Sequence, residues 1–194
     1  ERTMNTYLGI TADVSVNELD LDALRASRWL YIEGYLSTSE SARAAVAVAR
    51  TEARAAGVKL ALTFSDPAMV QYFQPQLREL LGDGVDLLFC NEWEAKSFAG
   101  SDDLDVALTA LRQVAQAGVL TRGAEGAWAW TQQSILELPA VPVVPRVIGA
   151  SVLRTHPESP WVVPSSTNVN RPGVTLALVS ESLARVHAPV VLTT

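Results

Sequence analysis

The sequence is short of several residue types that mark particular classes of protein. Cys90 is its single cysteine, so the chain can form no internal disulfide, and its place at the end of an apolar run predicts a buried structural thiol. His156 and His187 are isolated, so they support neither a metal site nor a catalytic triad. No apolar run is long enough to span a bilayer and no signal peptide opens the chain. We therefore expect no membrane partner and a cytoplasmic location.

Positive charge is also scarce. Fifteen Lys and Arg residues stand against 21 Asp and Glu residues, which gives a net charge of −6. The basic residues are scattered singly, and an acidic surface does not attract a phosphate backbone over long range. We therefore expect no nucleic-acid partner. The hydrophobic fraction of 48% is enough to bury a core. The chain starts without Met, close to strand-like sequence, which we interpret as the sign of a fragment.

Apolar segments alternate between strand-like and helix-like patterns along most of the chain. Alanine and valine recur at spacings of three and four within 39–57, which predicts a helix that packs closely on a sheet. An acidic first turn and an apolar stripe predict another helix over 101–118, ending at Gly118. Further helices are expected through Arg25, up to Leu81 and after Asn91, and the strands are expected at 6–10, 28–36, 58–64, 85–90, 119–121 and around Trp128 and Trp130. This alternation predicts an α/β fold, a mostly parallel sheet with helices on both faces.

The character of the sequence changes near Pro139, because eight of the ten prolines lie at or beyond that residue. We predict an α/β domain over residues 1–144 and a proline-rich connector over 145–194, with one helix at 174–186 and one strand at 189–194. The first part of the connector, from Pro145 to Pro172, is expected to be less well packed than residues 28–130 and to be cut first by proteases.

Polar side chains stand where the predicted parallel strands end, and ligands of such sheets bind at that edge. These residues are Glu33, Asp66, Asn91 with Glu94, and Thr121 with Gly123. A structural interpretation stands beside the functional one. Asn91 and Glu94 have the spacing of a capping box, Asp66 precedes Pro67 as in a helix start, and the glycines at 123 and 126 suit a turn before a strand. The chain has none of the common P-loop, zinc-protease or serine-hydrolase motifs.

Five segments in order give the sequence a family resemblance: ERTMNTYLGI (1–10), EGYL (33–36), LTFSDP (62–67), DLLFCNEWEA (86–95) and VLTRGAEGA (119–127). Residues 1–144 resemble the ribokinase-like, or PfkB, family of carbohydrate and nucleoside kinases, and within it the adenosine-kinase-like sugar kinases of bacteria. The segments are similar to the middle portion of a family member. The resemblance implies an incomplete ribokinase-like fold.

The family phosphorylates a hydroxyl of a small-molecule sugar or nucleoside with ATP and a divalent cation, so the resemblance implies ATP and Mg²⁺ as cofactors. It implies that Asn91 and Glu94 form the N-x-x-E motif, with Glu94 acting on magnesium through water. Thr121, Gly123 and Gly126 match the T-x-G-x-x-G turn near the phosphates, and Asp66 stands where members carry a polar residue. Such a site agrees with the chemistry, since phosphoryl transfer needs positioning and charge neutralisation more than covalent work.

The family's G-A-G-D turn, whose Asp accepts the hydroxyl proton, has no full counterpart here. Gly149 and Ala150 remain of it, the last aspartate of the chain is Asp105, and the nearest acid is Glu158. The catalytic base is therefore unknown, and we expect the kinase activity to be impaired. Two alternatives stay open: a non-catalytic nucleotide- or sugar-binding remnant, and a purely structural α/β fragment. The particular substrate and the oligomeric state cannot be predicted from the sequence.

Overall fold

A computed structural model describes residues 9–141 and 191–192 of the chain. Apart from Val141, these residues belong to one compact unit formed by residues 1–140 and 187–194. The predicted boundary at 144/145 and most of the predicted connector lie outside the described residues.

One seven-stranded sheet organises this unit, with the strand order β6-β5-β4-β3-β2-β1-β7. The strands β1 to β4 are parallel to one another, whereas β5, β6 and β7 join the sheet through antiparallel pairs. The predicted α/β class is confirmed, with a parallel centre and antiparallel edges. The strand bounds are β1 Trp29–Glu33, β2 Lys59–Thr63, β3 Val85–Asn91, β4 Ala115–Thr121, β5 Ala127–Thr131, β6 Ile135–Leu138 and β7 Val191–Leu192.

Six α-helices accompany the described part of the sheet, and most begin at a polar side chain that caps the first turn. Asp20, Ser39, Asp66, Asn91 and Asp103 each accept a hydrogen bond from a backbone N–H of the helix that follows. The helix bounds are α1 Leu21–Ala26, α2 Glu40–Ala55, α3 Pro67–Tyr72, α4 Gln74–Leu81, α5 Glu92–Ala99 and α6 Leu104–Arg112.

The described helices pack against one face of the sheet. On that face the buried strand residues Leu30, Ile32 and Leu88 join side chains of α2, α4, α5 and α6 in a single apolar cluster. Phe89 and Tyr31 lie on the opposite face, where they are half-buried and their rings are 6.3 Å apart. The predicted second helical layer is therefore not among residues 9–141 and 191–192.

The structure corrects several predicted bounds. The strand expected over 28–36 ends at Glu33 and a 3-10 helix follows over Gly34–Thr38. Residues 9 and 10, expected in a strand, begin the 3-10 helix Gly9–Asp13, and residues 6–8 lie outside the described part. The helix expected up to Leu81, with Pro75 either in its first turn or at a kink, is α4, and Pro75 lies in its first turn; a separate short helix, α3, precedes it, and the two meet at Phe73.

The largest correction concerns Gly118, which was expected to end a helix. The helix α6 ends earlier, at Arg112, and Gly118 lies inside β4 opposite Trp130. A Cβ atom at Gly118 would overlap the Trp130 ring and lie 2.6 Å from the Leu88 carbonyl oxygen. The glycine is therefore present because a large ring and a neighbouring strand occupy the space of a side chain.

We predict that Gly118→Ala lowers the free energy of unfolding by about 1–3 kcal/mol, the usual range for overpacking a core. The added methyl group must displace Trp130, which is 2% exposed. Urea denaturation measures the loss. The double variant Gly118→Ala/Trp130→Leu should lose less stability than the two single changes added together, since the smaller side chain makes room for the methyl group. Additive losses would contradict this explanation.

Candidate functional site

The register of the sheet brings most of the predicted site residues to one edge. Asn91 and Thr121 are the last residues of the parallel strands β3 and β4, and they lie directly opposite each other. Thr63 ends β2 at the same edge, opposite Phe89 of β3, and Asp66 follows three residues later at the start of α3. Glu33 ends β1 at the same edge and is exposed. Polar residues from four neighbouring strands therefore share the carboxyl edge of the sheet.

Asn91 and Glu94 form a complete capping box at the start of α5. The Asn91 Oδ1 atom accepts the Glu94 backbone N–H at 2.8 Å, and the Glu94 Oε2 atom accepts the Asn91 backbone N–H at 2.9 Å. The structural interpretation of this pair is thus correct as far as it goes. It leaves the second carboxylate oxygen of Glu94 without a hydrogen bond among the described residues.

Glu94 is a buried acid whose charge is poorly compensated. Glu94 is 4% exposed. Burial raises the pKa of Glu94 above its ordinary value, the Asn91 backbone N–H opposes that shift, and the Asp66 carboxylate adds to it. Burial raises the pKa of the Cys90 thiol, and the Glu94 carboxylate adds to that shift. Cys90 is 6% exposed, so the prediction of a buried thiol is confirmed.

Asp66 lies in a tight turn between β2 and α3. Its Oδ1 atom accepts the Ala68 backbone N–H at 2.8 Å, so it caps α3 as the structural interpretation expected. The preceding residue, Ser65, has a φ angle of +70°, which is unusual for a residue other than glycine. The Ser65 hydroxyl accepts the Gly34 backbone N–H at 2.8 Å and thereby joins the ends of β1 and β2. Strained turns of this kind cluster at binding sites.

The two glycines of the 123–126 turn have different explanations. Gly123 has a φ angle of +57°, and nothing would contact a Cβ atom placed there. Gly126 has a φ angle of +95°, and a Cβ atom there would overlap the Leu138 carbonyl oxygen of β6. Gly126 is thus required by the packing of the β5–β6 hairpin, whereas Gly123 borders open space. The sequence did not separate these two cases.

Two charged residues of this edge were missed by the sequence analysis. Arg122 follows Thr121 directly, and its Nε atom donates to the Glu92 Oε2 atom at 3.0 Å. Glu92 also accepts from the Lys96 Nζ atom at 2.7 Å. The signal that could have found them is their position, since each comes immediately after one residue of the opposed pair Asn91 and Thr121.

A metal held by several side chains is not part of this arrangement. Within the described residues, no group of three or more His, Cys, Asp or Glu side chains could hold a metal ion. Nor does any helix of that part of the chain have the length and apolar character needed to cross a membrane. The predicted cytoplasmic location stays a prediction.

The fold and the polar strand ends define an α/β protein with a candidate site at the carboxyl edge of its parallel strands, and known proteins share the fold. The profile of the pfkB family carbohydrate kinases matches residues 1–150. The chain therefore belongs to the pfkB family of carbohydrate kinases. A search of curated protein sequences finds no match.

Solved structures agree with this family. Adenosine kinase from Sinorhizobium meliloti is 28% identical with a TM-score of 0.65, over 71% of this chain and 42% of that one. A protein from Rhizobium etli CFN 42 that is assigned as a sugar kinase is 23% identical with a TM-score of 0.64, over 68% of this chain and 40% of that one. An E. coli protein assigned as ribokinase II, in complex with ATP and Mg²⁺, is 18% identical with a TM-score of 0.60, over 68% of this chain and 44% of that one. These two structures show the fold alone. The chain thus spans about two fifths of the length of these structures.

The raised pKa of Glu94 gives a testable pH dependence. Between its unfolded value of 4.5 and its higher folded value, the folded protein binds more protons than the unfolded chain, so the unfolding free energy falls as the pH rises. We predict that Glu94→Gln, which keeps an oxygen acceptor for Asn91, is increasingly more stable than the wild type as the pH rises above 4.5. Urea denaturation in buffers without divalent cations measures the difference.

Glu137→Gln on the exposed strand β6 is the matched control. A difference for Glu94→Gln that varies with pH no more than that of this control would show that burial does not raise the pKa of Glu94.

Proposed function

We propose that this chain forms the nucleotide-phosphate part of a pfkB-type sugar or nucleoside kinase and binds ATP with Mg²⁺ at the carboxyl edge of its sheet. The observation that carries the proposal is the pairing of Asn91 with Thr121. This pairing brings the N-x-x-E segment and the glycine turn, which are 30 residues apart in sequence, to adjacent positions. Family membership supports the kinase class, and the E. coli relative with bound ATP and Mg²⁺ supports the choice of cofactors.

The residues present fit a magnesium ion held through water. Glu94 is buried, its pKa is raised, and Asp66 places a second negative charge close to it, so a cation would relieve the repulsion between them. Magnesium keeps several of its waters and is often touched by one or two carboxylates. The free oxygen of Glu94 would accept a hydrogen bond from such a water, and Asp66 would lie at the same edge. When bound, the ion neutralises charge on the phosphates.

The glycine turn fits a polyphosphate on separate grounds. Gly123 borders open space, so no side chain of the turn blocks an approaching anion. Backbone N–H groups in turns with a positive φ angle form shallow anion sites. Gly126 contributes to this arrangement by holding the turn against β6. Thr121, which is exposed, has a hydroxyl available at the mouth of the site.

We further propose that this chain binds the nucleotide but has lost most of its phosphoryl-transfer activity. Transfer to a sugar or nucleoside hydroxyl needs a group that accepts its proton, and no aspartate follows Asp105 in the sequence. General-base catalysis is typically worth about 10²- to 10⁴-fold. The loss of the G-A-G-D turn would also remove backbone donors that stabilise the transferring phosphoryl group. The proposed activity is therefore nucleotide binding with greatly reduced phosphoryl transfer.

The test combines titration calorimetry with a measurement of ADP formation. We expect the 194-residue chain to bind ATP in the presence of Mg²⁺ and to form no substrate-dependent ADP with a panel of nucleosides and hexoses. Glu94→Ala should weaken binding, whereas Glu79→Ala, which removes an acid from the exposed side of α4, should not. The control matters because both changes remove one negative charge.

Two outcomes would contradict the proposal. Absence of ATP binding with Mg²⁺ would favour the purely structural alternative, in which the polar strand ends are only helix caps. Substrate-dependent ADP formation that Glu94→Ala abolishes would show that the catalytic base has been misplaced, and Glu158 and Glu181 would then be the acids to test.

A further inference from the structure

The Arg122 side chain contacts a helix, its own turn and a strand. Its Nε atom donates to Glu92 at the start of α5, and its Nη2 atom donates to Glu125 inside the turn. Its guanidinium carbon lies 4.7 Å from the centre of the Trp128 ring on β5. The Arg122 side chain is 18% exposed, so these contacts are partly shielded from water. One side chain thus joins a helix, a turn and a strand.

The backbone of the 122–126 turn is closed by its own hydrogen bonds. The Arg122 N–H donates to the Gly126 carbonyl at 2.7 Å, the Glu125 N–H donates to the Arg122 carbonyl at 3.1 Å, and the Gly126 N–H donates to the Gly123 carbonyl at 3.2 Å. These bonds set the internal shape of the turn. They do not set its orientation relative to α5, because none of them leaves the turn.

Across the part of the chain that the structure describes, a single side-chain hydrogen bond joins the turn to α5, that of Arg122 to Glu92. Asn91 and Thr121 lie opposite each other. After Asn91 the chain continues as the helix α5, and after Thr121 it continues as the glycine turn. A planar guanidinium with two carboxylate partners and an aromatic neighbour holds such a junction more firmly than a flexible ammonium group.

We propose that Arg122 is a positioning residue that fixes the 123–126 turn against α5, so that the glycine turn and Glu94 address the same nucleotide. This inference rests on the proposed function and deepens it. Arg122 acts through the turn and not as a phosphate ligand, since its Nε and Nη2 atoms are held by carboxylates and its face lies on Trp128. Glu92 is the partner of Arg122 in this role.

Substitution of Glu92 distinguishes a positioning role of Arg122 from direct contact between Arg122 and phosphate. If Arg122 held the phosphates itself, Glu92→Gln would release the guanidinium and remove a negative charge, and ATP would bind as well or better. If Arg122 positions the turn, Glu92→Gln disrupts the same junction as Arg122→Gln. Both variants then bind ATP more weakly, although they change the local charge in opposite directions.

Hydrogen exchange of the backbone amides is the first measurement, and it needs no ligand. Arg122→Gln and Glu92→Gln should each speed exchange at residues 123–126 and leave the centres of β3 and β4 unchanged. Calorimetry with ATP and Mg²⁺ is the second measurement. We expect each single variant to bind about tenfold more weakly, the double variant to bind no more weakly than either, and Arg122→Lys to recover part of the loss.

Arg25→Gln is the matched control. Arg25 also pairs with a carboxylate on another element, Glu52 of α2, with its Nη2 atom 2.7 Å from Oε2, but it lies outside the site residues. This variant should keep both the exchange of the turn and the affinity for ATP.

The outcomes distinguish this inference from the proposed function. If the wild type binds ATP, and Arg122→Gln leaves either the hydrogen exchange of residues 123–126 or the affinity for ATP unchanged, the positioning role is wrong and the proposed function stands. Retained affinity in Glu92→Gln also overturns the positioning role, in favour of direct contact with phosphate. A wild type that binds no ATP overturns the proposed function, and the positioning role in nucleotide binding with it.

Discussion

The hydrogen-bonded register between β3 and β4 is the constraint on which the candidate site depends. It sets Asn91 opposite Thr121, so that the two segments that follow these residues begin side by side. A shift of the pairing by one residue would turn every side chain of β4 to the other face of the sheet. Leu120 and Cys90 are both buried on the helical face, and their burial therefore fixes the register that aligns the site. The apolar core thus positions the polar edge.

Charge is distributed unevenly along that edge. Glu94 is buried beside another acid, whereas Glu92, two residues earlier, is paired with both Lys96 and Arg122. Hydrogen bonds from Lys96 and Arg122 lower the pKa of Glu92, while burial raises the pKa of Glu94. Glu92 and Glu94, in one turn of α5, therefore differ in their electrostatic environment. Glu92 stabilises the junction with the turn, and Glu94 is a buried acid whose ionised form a cation would stabilise.

Much of this arrangement could be predicted from the sequence because its signals are local. The alanine periodicity of α2, the cap at Asn91 and the alternation around Trp130 each depend on residues a few positions apart, and each is present in the structure. Gly118 was misplaced because its role is set by the Trp130 ring from another strand. The contacts of Arg122 were missed for the same reason, since Glu92 lies 30 residues earlier in sequence. Long-range packing has no local pattern.

The central claim is that the N-x-x-E segment and the glycine turn form one site for ATP with Mg²⁺. Titration of the labelled protein followed by two-dimensional NMR tests it most directly, since each backbone amide reports separately. The account predicts that shift changes concentrate at Asp66, at residues 91–95 and at residues 121–126, and that all three groups saturate at one ligand concentration. Changes at only one of these segments, different saturation points, or changes centred on the amino edge of the sheet would contradict it.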